Sequence, residues 1–238
     1  QFAFLIPDNK NMPFDLFIPL SKLNGAKQGQ KAVAKLVEWD QRSRNPVGEI
    51  TEVLGYPGEN DTEMHAILAE FGLPNKFTAE IESAAEKISS AITREDIAAR
   101  RDFRGVPTFT IDPEDAKDFD DALSFIRLPN GNVEVGVHIA DVTHYVTPGT
   151  VIEKEAQERA TSVYLVDRTV PMLPEMLSNH ICSLNPSEDK LTYSAVFELD
   201  NKAAVINEWF GRTIIRSDKR FSYSEAQKVI DTGDGYMK

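Results

Sequence analysis

The stretch TIDPEDAKDFDDALS, residues 110–124, decides how this chain is read. Six acidic residues fall within ten positions, from Asp112 to Asp121. The segment before them, VPTFTI (106–111), is β-branched and aromatic, the composition of a strand. Pro113 cannot donate to a sheet ladder and ends it. Asp112 is therefore expected at a strand end, with the other acids on the loop and the start of the next strand. Carboxylates crowded this tightly repel one another unless cations neutralise them. Hard oxygen donors suit Mg²⁺, which is usually held by a few carboxylates, water and substrate phosphate. Asp112, Asp118, Asp120 and Asp121 are the four expected to form such a cage. Two ions so held can clamp the attacking and leaving oxygens of a phosphodiester.

A solvated acidic loop is the plain alternative, and most acidic runs are that. Here the apolar strands TFTI and ALSFIRL flank the run and argue against it. A calcium loop is excluded by position. Asp118 and Asp120 fit its first and third ligands, but Leu123 stands at its glycine and Pro129 at its final glutamate.

Residues 1–58 carry short strand-like runs, FAFLIP, DLFIPL, KAVAKLVEW and GEITEV, separated by turn-rich NKNMP and NGAKQG. That pattern suits a small β-barrel. Phe2, Phe4, Phe14 and Phe17 alternate, so one face can stack RNA bases while the other fills the barrel. For any single phenylalanine the core is the commoner place. Lys27, Lys31 and Lys35 could follow phosphate, although scattered surface lysines are the ordinary case.

Residues 59–101 read as a helical connector. Met64, Ile67, Leu68 and Phe71 form one stripe, ended by Gly72 and Pro74, and Ile81, Ala85, Ile88 and Ile92 form a second. Both are read as packing faces, with Thr93 capping a last short helix. In residues 102–238, strands are expected at 106–111, 121–128, 133–140, 192–199 and 204–211. Thr150 with Glu153 and Ser222 with Glu225 have capping-box spacing, for helices at about 151–163 and up to Gly233. GDG (233–235) reads as a helix stop. His65, His138 and His144 lack the company of metal ligands and are given structural roles.

The 238 residues suffice for one or two domains, and the 41% apolar share supports buried cores. No apolar run approaches a membrane span and no signal peptide opens the sequence. The single cysteine, Cys182, excludes an internal disulfide framework, suits a reducing cytoplasm and is expected in the core. The net charge of −12 argues against nucleic acid, because phosphate affinity comes from Lys and Arg. The conflict is partly local. The first 58 residues carry seven Lys/Arg against six Asp/Glu, and bound magnesium would offset the acidic run.

The acidic run, together with GVHIADVTHYV (136–146) and ATSVYLVDRTVPMLPEMLSNHICSLNP (160–186), resembles the catalytic signature of the ribonuclease II / ribonuclease R family of exoribonucleases. CSLNP followed by Asp189 and Leu191 leans towards ribonuclease R. FAFLIPDNKNMPFDLFIP (2–19) and GEITEVLG (48–55) resemble that family's second cold-shock domain. The likeness implies an α+β chain in three parts. Residues 1–58 would be an OB-type barrel lacking its first strand, 59–101 a helical connector, and 102–238 the front half of a mixed α/β catalytic domain. The family's catalytic arginine would then lie beyond position 238, and the chain alone is expected to be inactive.

The resemblance also implies processive 3′-to-5′ hydrolysis of single-stranded RNA to nucleoside 5′-monophosphates, with Mg²⁺ and no membrane or stable protein partner. Carried over by motif position, Asp112, Asp118 and Asp121 help to hold the metal. Asp120, with Asp118, carries the chemistry. Tyr164 packs against the terminal nucleotide, a core aromatic being its plain alternative, and Phe4 and Phe17 contact RNA. Two other classes remain. One is a non-catalytic RNA-binding module, and the other an acidic domain that binds divalent ions or protein.

Overall fold

The computed structural model describes residues 2–40 and 43–233. The chain forms two compact units, Gln1–Lys76 together with Tyr164–Val170, and Phe77–Val163 together with Pro171–Lys238. The stretch expected as a connector is thus divided between them.

In the first unit β1 (Phe2–Leu5), β2 (Leu16–Pro19), β3 (Lys31–Glu38) and β4 (Val47–Gly55) form one sheet in the order β1-β2-β4-β3. Leu16, Ile18 and Ile50 are its buried core. Gly48 is required there, because a Cβ would lie 2.6 Å from Leu16 and 2.8 Å from Ile18. Three register shifts along the β3–β4 pair bend the sheet, as closing a small barrel demands. Helix α1 (Asn60–Glu70) packs on β3 and β4. Its stripe is narrower than expected. Leu68 and Thr62 are buried, but Phe71 is 71% exposed, because the chain leaves the helix at Phe71 and turns through Gly72 at φ +65°.

The second unit is built on a seven-stranded sheet. Its strands are β5 (Arg101–Asp102), β6 (Thr108–Asp112), β7 (Asp121–Arg127), β8 (Val133–Ala140), β11 (Asp189–Leu199), β12 (Val205–Arg216) and β13 (Lys219–Ser222). The order is β13-β6-β7-β8-β11-β12-β5, antiparallel except where β13 meets β6 and β5 meets β12. Between β8 and β11 lie β9 (Val163–Tyr164) and β10 (Thr169–Val170), which pair as a small hairpin.

Boundaries shift for local reasons. β6 begins at Thr108, since Val106 N–H turns back to the Phe103 carbonyl and Pro107 has no N–H to give. β12 runs on to Arg216 because Arg212–Arg216 stay paired with β11 down to Asp189. Helices α2 (Ala79–Glu86) and α3 (Arg94–Ala98) are capped by Thr78 and Thr93. The single turn α4 (Val142–Tyr145) precedes α5 (Val151–Arg159), which stops at Ala160 in the left-handed region. At its start Thr150 accepts from Glu153 N–H, while the Glu153 carboxylate takes the Gly149 N–H. α6 (Tyr223–Thr232) has the complete Ser222–Glu225 box and ends on Gly233; Asp234 and Gly235 lie outside the described residues.

One sheet face is covered. Phe103, Phe119, Ala122, Ala140, Val196 and Cys182 form its core with Ile152 and Ala156 of α5 and Ala85 of α2. Burial pushes the Cys182 thiol up to about 12, so it is inert. Within this apolar layer lies a polar one. His138 is fully buried between Ser124 (2.8 Å) and Ser194 (2.6 Å), with Thr213 and Thr192 continuing the chain of bonds. Burial lowers the His138 pKa to about 4, so it is neutral and structural, as expected. His65 and His144 face Asp61 (3.7 Å) and Asp96 (3.8 Å). The other face is open and apolar, with Phe125, Ile139, Tyr193 and Phe210 exposed.

Arg100 and Asp141, each side chain 2% exposed, pair at 2.7 Å under the sheet. Arg100 also donates to the Thr192 and Thr213 carbonyls, so it ties β11 to β12. Removing one partner leaves a buried charge, which costs about 3–5 kcal/mol. Arg100→Met is therefore expected to lower the unfolding free energy measured in urea by that amount, and Arg100→Met/Asp141→Leu to recover much of it. A single variant as stable as the parent in urea unfolding would show that the pair carries no such weight.

Candidate acidic site

Asp112 is the last residue of β6 and Asp121 the first of β7. The direct register between these strands covers only Thr108↔Ser124 and Phe109↔Leu123, so the ends bearing the two aspartates are free of ladder bonds to each other. The loop between them carries Asp118 and Asp120 and is pinned at its far side. Phe119 N–H donates to Ser183 Oγ (3.0 Å) and the Phe119 carbonyl accepts from Leu184 N–H (2.8 Å). The Asp120 carbonyl accepts from Ala140 N–H at 3.0 Å. The HIAD and CSLNP segments are thus the two clamps on the acidic loop. From the other side Arg220 Nη2 donates to the Pro113 and Glu114 carbonyls, the latter at 2.7 Å.

The charges of the four aspartates act on one another. Burial holds the Asp112 carboxyl above the usual range; the Thr110 hydroxyl and Arg220 oppose this, while Asp121 and Asp118 push the same way as burial. Asp120 is also raised, first by the protein packed around it and then by Asp118, Asp121 and Asp112. By area Asp120 is open to solvent, so that burial is one-sided.

Asp112 is 7% exposed, and its Oδ2 is buried without a hydrogen-bond partner. Oxygen-only donors and an excess of negative charge, offset at Asp112 only by Thr110 and Arg220, fit a hard divalent cation. Among the described residues, no three His, Cys, Asp or Glu side chains already converge into a closed cage. Magnesium characteristically completes its shell with water and substrate phosphate, so it needs few protein donors. A cavity of about 320 Å³ elsewhere in this unit is lined by none of the four. Its Lys190 is committed to the His180 carbonyl and to Glu188, so the acids remain the candidate site.

The remaining candidates lie in the first unit. Phe2, Phe4 and Phe17 form one aromatic cluster, with ring centroids 5.2–6.1 Å apart, and Phe4 faces Phe17 across the β1–β2 pair. Phe2 and Phe4 are exposed, so this cluster is surface rather than core. Phe14 instead packs on Trp39 at 4.6 Å. Tyr164 is 66% exposed and fills no core. Its hairpin is anchored by Arg168, which pairs with Asp61 at 2.6 Å and with Asp167. Lys31 is bound to Glu63 and Asp8, and Lys35 to Glu49. Sequence reasoning missed Ser183 and Arg220. Ser183 lay within a quoted motif, whereas Arg220, about a hundred residues away, gave no signal.

Residues 100–236 match the RNB domain and residues 4–78 the cold shock domain. Ribonuclease R of Thermotoga maritima is 38% identical over 97% of this chain and 33% of its own length. Ribonuclease R 1 of Lactococcus lactis subsp. lactis is 45% identical over 96% of this chain and 28% of its own. The structure of Mycoplasma genitalium RNase R in complex with double-stranded RNA superposes with a TM-score of 0.88 at 27% identity, covering 99% of this chain and 43% of that one. A 37% identical protein of Arabidopsis thaliana, matched over 97% of this chain and 22% of its own, is an inactive exonuclease DIS3L2. This chain belongs to the RNB-domain family, that of ribonuclease II and ribonuclease R, and joins an OB-type cold-shock domain to RNB-domain sequence. It spans about a third or less of the length of these curated relatives. Among the described residues, no helix is long and apolar enough to cross a membrane.

The raised pKa of Asp120 has a consequence for stability. The folded chain binds this proton more readily than the unfolded chain, so the ionised form destabilises the fold at neutral pH. That penalty fades as pH falls through the raised pKa, and is gone below the ordinary carboxylate value of about 4. In metal-free buffer at pH 7, Asp120→Asn is expected to melt above the parent, with the gap closing towards pH 3. Adding Mg²⁺ is expected to raise the parent more than the variant. A variant that melts below the parent at pH 7 contradicts this account of the site.

Proposed function

We propose that the whole protein is a processive 3′-to-5′ exoribonuclease that degrades single-stranded RNA to nucleoside 5′-monophosphates, with Mg²⁺ held by Asp112, Asp118, Asp120 and Asp121. The observation that carries this reading is the complete set of four mutually repelling aspartates, clamped by backbone bonds at the end of β6 and β7, in a chain of this family. Magnesium, when bound, supplies positive charge where charge builds up on the scissile phosphate. The residues of the chain do the rest. Asp112, Asp118 and Asp121 would hold the ion. Asp120, open to solvent beside them, would order the attacking water by accepting a hydrogen bond from it. Tyr164 and the Phe2, Phe4 and Phe17 cluster offer exposed rings against which bases stack. Action in the cytoplasm belongs to the same proposal, and so does inactivity of residues 1–238 alone.

The existence of an inactive relative favours one competing reading, an RNA-binding module without catalysis. The intact aspartates weigh against it. A divalent-ion or protein-binding domain that never meets RNA is the third reading. Binding of a short single strand with and without Mg²⁺ separates the three.

In the full-length protein, Asp120→Asn is expected to abolish nearly all release of nucleotides from a 3′-labelled single strand while RNA affinity holds. Charge is lost at the reacting centre, but contacts elsewhere remain. Retained turnover would remove Asp120 from its role.

Tyr164→Ala tests the grip. A base stacked on an aromatic ring is worth about 1–3 kcal/mol, enough to decide when a short product dissociates and small beside the loss of a metal centre. Cleavage of long RNA is expected to persist, with a changed length of the final oligomer and, since the ring is exposed, little change in melting temperature. An unchanged product ladder with a large fall in melting temperature defeats the stacking role.

A further inference from the structure

We propose that Arg220 is a positioning residue of the acidic site, fixing with one guanidinium both the turn that leaves Asp112 and the Phe119 hinge between Asp118 and Asp120. The inference rests on the reading of the four aspartates as the magnesium-holding centre. Arg220 stands on β13, the edge strand that runs parallel to β6 with Arg220 opposite Thr110 and Ser222 opposite Asp112. Its Nη2 reaches across the strand end to the carbonyls of Pro113 and Glu114, the first two residues after Asp112. Its Cζ lies 5.2 Å from the centre of the Phe119 ring. Phe119 is buried and its backbone is already held by Ser183 and Leu184. Arg220 is therefore the second wall of the loop and, among the described residues, touches both its opening turn and Phe119.

A second observation falls on the same spot. Among the described residues, three buried side-chain polar atoms have no hydrogen-bond partner, and they belong to Thr110, Asp112 and Arg220. Thr110 and Asp112 are two apart on one strand and so share a face, and Arg220 is the register neighbour of Thr110. The trio is chemically complementary. Arg220 Nε offers a donor, Asp112 Oδ2 an acceptor, and the Thr110 hydroxyl can be either. The Thr110 hydroxyl and the Arg220 charge both favour the ionised form of Asp112, so Arg220 acts on the carboxylate itself as well as on the turn that leaves it. Only arginine suits it. A lysine could hold one carbonyl, but it has neither the planar fork nor the flat face that lies over Phe119.

The plain alternative is that Arg220 merely secures the edge strand. Full-length protein carrying Arg220→Met or Arg220→Lys separates the two. Mg²⁺ is titrated into RNA-free protein by calorimetry. The Mg²⁺ needed for half-maximal hydrolysis, the KM for single-stranded RNA at saturating Mg²⁺ and the metal-free melting temperature are measured alongside. Residues that orient metal ligands typically control affinity or activity by about 10–100-fold. Arg220→Met is thus expected to raise both Mg²⁺ midpoints at least about tenfold, with KM unmoved and Arg220→Lys recovering only part. Unchanged midpoints in a folded Arg220→Met variant overturn the proposal. So does full recovery by lysine with only the melting temperature having moved. If the methionine variant does not fold, the lysine variant decides alone, and an unshifted midpoint overturns the proposal. A wild-type protein that binds Mg²⁺ with an Arg220-dependent midpoint yet leaves RNA intact would sink the exonuclease reading and keep this one. One that binds no Mg²⁺ sinks both.

Discussion

Like charges repel, and the second unit brings four of them within electrostatic reach of one another. Asp112 and Asp121 end adjacent strands, and the loop that joins those strands supplies Asp118 and Asp120. Burial and mutual repulsion raise the pKa of both Asp112 and Asp120, and Thr110 and Arg220 offset this only in part at Asp112. The restraint comes from the backbone. Ser183, Leu184, Ala140 and Arg220 hold the loop through its carbonyls and N–H groups, which are indifferent to the state of the carboxylates. Main-chain clamps hold the loop that carries the acids without depending on their carboxylates.

Such clamps work only if the strands beneath them do not slip. A one-residue shift in register would turn Asp121 inward and His138 outward. The buried polar layer opposes this. His138 bonds Ser124 on β7 and Ser194 on β11, and Arg100 bonds carbonyls of β11 and β12 and the side chain of Asp141. Each bond is satisfied in one register and would be left buried and unmet in another, which is costly. Gly136 tightens the fit, because a Cβ there would lie 2.5 Å from both His138 and Ser124. A purely apolar layer would tolerate slippage better, and with it a misplaced Asp121.

Much of this was legible in the sequence, for local reasons. Pro113, the β-branched run before it and the alternation after it located β6, β7 and β8, because strand period and proline chemistry are properties of neighbours. Capping residues Thr93, Thr150 and Ser222 marked helix starts for the same reason. Features set by distant partners were not legible. β12 runs to Arg216 because Asp189–Tyr193 lies beside it, and no composition signal between 212 and 216 says so. The α1 stripe looked like a full packing face, yet the chain turns away at Phe71 before that ring can be covered. Arg220 reaches the acidic loop only through the parallel pairing of β13 with β6, a contact across about a hundred residues. The division of the chain also followed tertiary contacts. The hairpin bearing Tyr164 belongs with the first unit because Arg168 and Asp167 bind Asp61 and Asn60 of α1.

On the proposed function, a chain of net charge −12 would have to grip RNA. Affinity for phosphate ordinarily comes from lysine and arginine, yet Lys31, Lys35 and Arg168 are all engaged with carboxylates. What the surface does offer is aromatic. The Phe2, Phe4 and Phe17 rings cluster on the outside of the first sheet, and Tyr164 stands out from its hairpin. Stacking needs no charge, accepts any base and is worth about 1–3 kcal/mol each time. On the exonuclease reading that division is useful. Rings that accept every base let a strand advance one nucleotide without losing its hold. The acidic end repels phosphate until cations reverse its sign, so the backbone would be drawn to the aspartates only when the metal needed to cut it is already there.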